Sequence, residues 1–174
     1  MFPTVNQSIE SVCKTLQELI IPELEGKGFV QEQAAMILAQ LTQAVDVNNA
    51  QQSYLLVELR DSITLLECWE KSQGFGSREL KTYQKFVRQP ALISGFRSQS
   101  DLEDDLISLK QEIESELNNS PPENGSKLHR TLHKYIARQL ERENAWFRLS
   151  GFLGKSSELE CVAKVLKNQI TTPL

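Results

Sequence analysis

The sequence predicts an all-α fold: one domain, residues 1–174, built as a bundle of about six to seven mostly antiparallel helices. Two observations predict it. Apolar residues recur three and four apart in one stretch after another, which is helical periodicity, and no stretch shows the alternation of a half-buried strand. Glycine and proline are scarce, 8 and 6 in 174 residues, and they gather where that periodicity breaks. With 40% hydrophobic and 24% charged residues, the chain has the make-up of a domain able to bury a core.

Taken in order, the first helix is expected from about Ser8 to Ile21, with Ile9, Val12, Cys13, Leu16, Leu19 and Ile20 as its stripe. Ser8 is its candidate cap, and Pro22 should end or kink it. A second helix, from about Gln31 to Asp46, is lined by Ala34, Ile37, Leu38, Leu41, Ala44 and Val45. The third, from about Ala50 to Ser72, carries Leu55, Leu56, Leu59, Ile63, Leu66 and Trp69 on its main face. Val57, Leu65 and Cys68 widen that face, and a helix apolar on more than one side belongs at the centre. Its charges, Arg60, Asp61 and Glu67, read as surface positions.

A short fourth helix begins at Ser77, turns Leu80, Tyr83 and Val87 inward, and ends at Pro90. The stretch Pro90 to Gln99 carries Leu92, Ile93 and Phe96, which should tuck beneath the domain or form a lid. The fifth helix opens on Ser100-Asp-Leu-Glu103, a capping-box pattern, and lines up Leu102, Leu106, Leu109, Ile113 and Leu117. The loop Asn118 to Gly125 follows. A last helix is expected from about Ser156 to Asn168, burying Leu159, Val162, Ala163 and Leu166.

Between them runs the longest expected helix, Ser126 to Ser150. Wound at 100° per residue, it gathers Leu128, Leu132, Tyr135, Ile136, Leu140, Trp146 and Phe147 within about one third of the circumference. Arg130, Lys134, Arg138, Glu141 and Arg148 fall opposite. Gln139 and Glu143 project into the apolar arc, where a carboxylate needs a partner. They are candidate binding residues if the arc faces a cavity; otherwise they bond to a neighbouring helix.

Charge narrows the function. The formal net charge is −4, which gives no general attraction for nucleic acid. No apolar run reaches the roughly 18 residues that suggest a membrane span, and the first residues lack the basic and apolar regions of a secretory signal. The expected location is the cytoplasm, where Cys13, Cys68 and Cys161 would be reduced, buried hydrophobes. Residues 101–116 carry seven acids against Lys110, and residues 127–148 carry six bases against Glu141 and Glu143. Antiparallel packing of these neighbours would set opposite charges side by side. Arg78, Lys81, Lys85, Arg88 and Arg97 make a second basic segment. Placed beside the long helix, it would form an anion site.

No Gly-x-Gly-x-x-Gly, Cys-x-x-Cys or His-Glu-x-x-His motif is present, and Gly154-Lys155-Ser156 lacks the rest of a phosphate-binding loop. His129 and His133 are the candidate metal ligands. Their i,i+4 spacing places both imidazoles on one side of a helix, but the chain has no further histidine. The alternative is a pair of ordinary surface histidines. No catalytic triad or dyad stands out, and no cofactor is implied.

Two segments carry a resemblance. Leu19-Ile-Ile-Pro-Glu-Leu-Glu-Gly26 leads into an alanine-rich helix through Ala35 and Leu41, and Leu140-Glu-Arg-Glu-Asn-Ala-Trp-Phe147 closes a late helix. They resemble an uncharacterised all-helical bacterial family encoded near acyl-CoA dehydrogenases and aminoglycoside-phosphotransferase-like proteins. That family runs a Leu-Pro-x-Leu-x-Gly turn into an alanine-rich helix and later a Leu-x-x-x-Asn-Pro-x-Tyr segment. Pro22, Leu24, Gly26, Leu140 and Asn144 match; Ala145, Phe147, Met36 and Ile37 depart from the pattern. The resemblance implies an accessory or ligand-binding role and transfers no catalytic residue. The expected function is a non-catalytic helical module for a protein partner or a homo-oligomer. One alternative is a pocket for an anionic, partly apolar molecule such as an acyl-CoA or a phosphorylated ligand. The other is a metal-dependent enzyme using His129 and His133.

Overall fold

The computed structural model describes residues 3–73, 80–95, 97–148, 159–172 and 174, and these residues are all-α, with no strand among them. The helices are α1 (Val5–Thr15), α2 (Gly28–Asn48), α3 (Gln51–Gln73), α4 (Lys81–Arg88), α5 (Gln99–Asn119), α6 (Lys127–Trp146) and α7 (Val162–Thr171). Where one domain was expected, the chain clusters into two compact units. One comprises residues 1–51 and 143–165, the other 52–142 and 166–174. None of the described helices is long and apolar enough to cross a membrane.

In the first unit, α1 starts earlier than its apolar stripe suggested. Thr4, not Ser8, is the cap: its hydroxyl accepts from the Gln7 N–H while the Gln7 side chain accepts from the Thr4 N–H. That Thr-x-x-Gln capping box was present in the sequence. The helical run ends at Glu23, one residue past Pro22. The chain passes through a π-helical turn, Leu16–Ile20, and a short α turn, Ile21–Glu23. A proline has no N–H and crowds the carbonyl four residues back, and the wider turn accommodates both. Gly26, at φ +83°, then reverses the chain into α2. Asn48 at the far end of α2 donates to Asn6 at the start of α1, so the two helices form an antiparallel hairpin.

This hairpin buries little. No residue of α1 is buried, and Ala34 is the one buried residue of α2. Val5 (69% exposed), Val12 (50%), Ile20 (42%), Val30 (48%) and Ile37 (49%) face solvent instead, although Val12, Ile20 and Ile37 were expected in the helix stripes. The π turn inserts one residue, so Ile20, eight after Val12, continues the line that Val5 and Val12 begin. Half-buried Ile9, Cys13 and Leu16 mark the inward side of α1, and Ala34, Leu38 and Leu41 that of α2. Both exposed rows are offset from these lines by about 45–65° in the same rotational sense, which in an antiparallel pair brings them to one side.

The second unit holds the hydrophobic core, and α3 is at its centre as expected. Leu55, Leu59, Ile63, Leu65, Leu66 and Trp69 are buried against Leu80, Tyr83 and Phe86, against Leu102, Leu106, Leu109 and Ile113, and against Leu128 and Tyr135. On α4 Phe86 joins Tyr83 on the inward side, while Val87, expected there, is exposed. The expected Ser77 cap lies outside the described residues. What caps α4 is Glu112 of α5, whose two carboxylate oxygens accept from the N–H groups of Thr82 (2.8 Å) and Tyr83 (3.0 Å). A carboxylate suits the positive end of a helix, and this one meets two donors with no partner inside it. Leu92 and Ile93 pack on the core from a single helical turn, Ala91–Ser94. Phe96 lies outside the described residues. Ser98, not Ser100, caps α5 by accepting from the Asp101 N–H. Of α7, Leu166 is buried in this unit; Val162 and Val165, which are buried, and Ala163, which is exposed, belong to the first unit.

Helix α6 is turned differently from its expected arc. Leu128 and Tyr135 are buried, but Ile136 and Leu140 are half exposed, and so is Phe147 just beyond the helix. Arg138, expected outside, points inward, and Arg142 is fully buried. The reason is ionic and lies on α3.

Candidate functional site

A polar seam runs between α3 and α6 within the second unit. Asp61 of α3, its side chain only 3% exposed, is the focus. Arg138 grips it with a two-point fork, Nε to Oδ2 at 3.0 Å and Nη2 to Oδ1 at 3.1 Å. Arg142 adds a third bond, Nη1 to Oδ2 at 2.6 Å. Such forked, charge-assisted bonds are among the strongest a protein makes.

The seam also fastens α7. Arg138 donates to the carbonyl oxygens of Gln169 (2.9 Å) and Thr172 (2.7 Å), the negative end of that helix. The Gln169 side chain accepts from Arg142 (2.7 Å) and donates to Glu141 (2.7 Å) and to the Arg138 carbonyl (3.1 Å). Arg142 lies 5.9 Å from the ring of Tyr54. Its Nε and Nη2 are sealed from solvent and have no hydrogen-bond acceptor among the described residues. One fully buried and one half-buried guanidinium group therefore share one buried carboxylate.

Further along α3, the Ser62 hydroxyl donates to the Glu58 carbonyl and sits 3.2 Å from the Tyr135 hydroxyl. Burial raises the Tyr135 phenol above its usual range, with the nearby Glu58 and Asp61 charges adding to the shift. Glu58, also buried, pairs with Lys110 of α5 at 2.6 Å. On α4, burial and a 2.8 Å bond to Glu70 raise the Tyr83 phenol well beyond the usual range.

Separate from the seam, a cavity of about 350 Å³ lies between the end of α3 and the start of α6. Cys68, Lys71 and Glu67 line it from α3, Lys127 and Thr131 from α6, and Leu174 closes one side. The Cys68 thiol donates to Thr131 Oγ1 at 3.6 Å, and Thr131 donates to the Lys127 carbonyl. Lys71 pairs with Glu67 at 3.9 Å, Lys127 adds a further ammonium group, and the volume is at the small end of the range for ligand pockets. The first unit has its own cavity, about 380 Å³, lined among others by Cys13, Lys14 and Asp46. There Asp46 pairs with Arg148 at 3.2 Å, and Gln43 donates to the Trp146 carbonyl at 3.3 Å.

The expected site residues are dispersed. Arg78 and the Gly154-Lys155-Ser156 segment lie outside the described residues. Lys81 is exposed, and Arg88 bonds Gln84 of its own helix at 3.1 Å. Lys85 and Arg97 do converge, but on Asp105, at 2.8 and 2.6 Å, beside the Phe86 ring. Their charge is thus paired with a carboxylate. The expected pairing of the acidic helix α5 with the basic helix α6 is also corrected. Among the described residues no ion pair joins them, because Asp105 and Glu112 serve the α4 region and Arg138 and Arg142 serve Asp61. Gln139 and Glu143 are half buried. The buried ionic group of α6 is Arg142, one residue away from Glu143.

His129 and His133 do come together, with their Nε2 atoms 3.2 Å apart. Among the described residues no group of three or more potential ligands surrounds a metal position. The seam itself had one legible signal: Glu58, Asp61 and Ser62 stand at helical spacing beside the apolar residues of α3, and Arg138 and Arg142 are four apart on another helix. No family model, curated protein or solved structure matches the chain.

Proposed function

We propose that the chain is a non-catalytic helical interaction module, acting in the cytoplasm, that docks on a second protein chain through its N-terminal hairpin. The observation that supports this is the shared exposed row of Val5, Val12, Ile20, Val30 and Ile37 on a hairpin that buries almost nothing. Large apolar side chains aligned on one side of two paired helices form a surface that another apolar helix face can cover. The buried seam, by contrast, fastens α3, α6 and α7 together through Asp61, Arg138, Arg142 and Gln169. Three cysteines without disulfide bonds accord with a reducing compartment. The family resemblance carried by Pro22, Leu24, Gly26, Leu140 and Asn144 points the same way, toward an accessory role.

Self-association is the form tested first. Sedimentation of the native chain over a concentration series should show a reversible dimer or higher species. Val12→Asp with Ile37→Asp should abolish it while leaving helix content unchanged. A strict monomer at every concentration removes the homo-oligomer and leaves only a different partner.

The cavity at Cys68 favours a second reading, a pocket for an anionic, partly apolar ligand held by Lys71 and Lys127. A thermal-shift series with acyl-CoAs and phosphorylated compounds tests it. Stabilisation should disappear in Lys71→Glu with Lys127→Glu, and the absence of any shift in the native chain counts against the pocket.

A further inference from the structure

His129 and His133 are one helical turn apart near the start of α6, where the His129 N–H donates to the capping hydroxyl of Ser126. Their Nε2 atoms are 3.2 Å apart while their ring centroids are 4.4 Å apart, so the rings converge at their Nε2 ends. Two imidazole nitrogens bound to one ion at about 2.0–2.1 Å lie roughly 2.9 Å apart at a right angle and about 3.3 Å apart at the tetrahedral angle. The observed separation falls between these limits. We propose that His129 and His133 form a preorganised two-nitrogen chelate for one late first-row divalent ion, of the Ni²⁺, Cu²⁺ or Zn²⁺ class.

The surroundings set the selectivity. Lys127, Arg130 and Lys134 flank the pair, and the start of a helix is itself positive, so a cation gains nothing there from the general field. No carboxylate stands one turn from either histidine, because positions 125, 126, 130, 132, 136 and 137 are Gly, Ser, Arg, Leu, Ile and Ala. Magnesium and calcium, which require oxygen donors, have no ligand to choose. Only the metal–imidazole bond holds an ion here, and its strength rises toward copper across the late transition series. His133 is exposed and His129 half buried, so the pair is accessible and its remaining coordination positions are open to water. An ion clamped across one turn also favours the helical state of that turn, which couples binding to the stability of α6.

The test is titration of the native chain with Ni²⁺ and Cu²⁺ alone, by calorimetry and by electron paramagnetic resonance of the copper form. One ion per chain, a spectrum showing coupling to two nitrogens, and slower amide exchange in the first turns of α6 are expected. His129→Asn and His133→Asn should each weaken binding at least about tenfold, since a two-point chelate loses its effective concentration when either arm is removed. Magnesium should neither bind nor compete. Equal binding by the double variant, or a copper spectrum without two nitrogens, overturns the proposal. So does the absence of saturable uptake. Both substitutions are near the surface, and circular dichroism of each variant verifies that the helix persists.

Discussion

Arg142 and Asp61 are both buried, but losing one should differ sharply from losing the other. Asp61→Asn leaves the half-buried Arg138 and the fully buried Arg142 guanidinium groups without their shared counter-charge. Breaking a buried pair in this way costs about 3–5 kcal/mol. Arg142→Met removes two charge-assisted bonds, to Asp61 and Gln169, each worth about 1.5–3 kcal/mol. It also removes two N–H groups that have no acceptor among the described residues, each an unmet desolvation of about 1–3 kcal/mol. Asp61 meanwhile keeps the Arg138 fork. The net loss for Arg142→Met should stay within about 2 kcal/mol. For a chain of this length each kcal/mol shifts Tm by about 2–4 °C, so Asp61→Asn should lower it by roughly 6–20 °C and Arg142→Met by less than about 8 °C. Urea denaturation of the two single variants and the double variant, followed by far-ultraviolet circular dichroism, measures all three. The double variant should be more stable than Asp61→Asn alone, because it carries one fewer uncompensated cation. If Arg142→Met costs as much as Asp61→Asn, or the double variant is the least stable, two cations do not share one carboxylate in the way described.

Glu112→Gln should loosen α4 by about 0.5–2 kcal/mol, the usual worth of a helix cap, and hydrogen exchange at Thr82 and Tyr83 reads it directly. Unchanged protection there would remove Glu112 as the cap. Ser98→Ala should destabilise α5 by about 1 kcal/mol and Ser100→Ala should not, a contrast that denaturant titration resolves. The Ser98 hydrogen bonds hold the Asp101 carboxyl below its usual range, with Arg97 and Lys85 adding to the effect. Because the folded value is the lower one, this stabilisation is present above the unfolded value near 4 and is lost as pH falls through the folded value. The acid limb of the stability curve should therefore flatten in Ser98→Ala; an identical limb would show that Ser98 does not hold Asp101.

Much of the helical pattern could be read from residue types alone. The central position of α3 followed from an apolar surface wider than one stripe, and the packing of Leu92 and Ile93 on the core followed from their being apolar, although the expected loop there is a helical turn. Local chemistry that was present but misread includes the Thr4–Gln7 box and the Ser98 cap. The error on α6 was of another kind. Its apolar arc is real, but counting apolar residues assigns every arginine to solvent. The acceptor that draws Arg138 inward is Asp61, 77 residues earlier in the chain, and nothing near either residue reveals the other.

The sequence by itself determined that this chain is all-α, roughly where each helix runs, and that α3 lies at the centre. These are local properties, set by spacing along a few turns and by the residues that interrupt it. Only the tertiary structure decided which face of α6 turns inward, that Lys85 and Arg97 meet Asp105, and that the α1–α2 hairpin leaves its apolar row uncovered. These outcomes depend on which buried charge finds a partner and which apolar surface finds a neighbour. In both cases the partner is far away in the sequence.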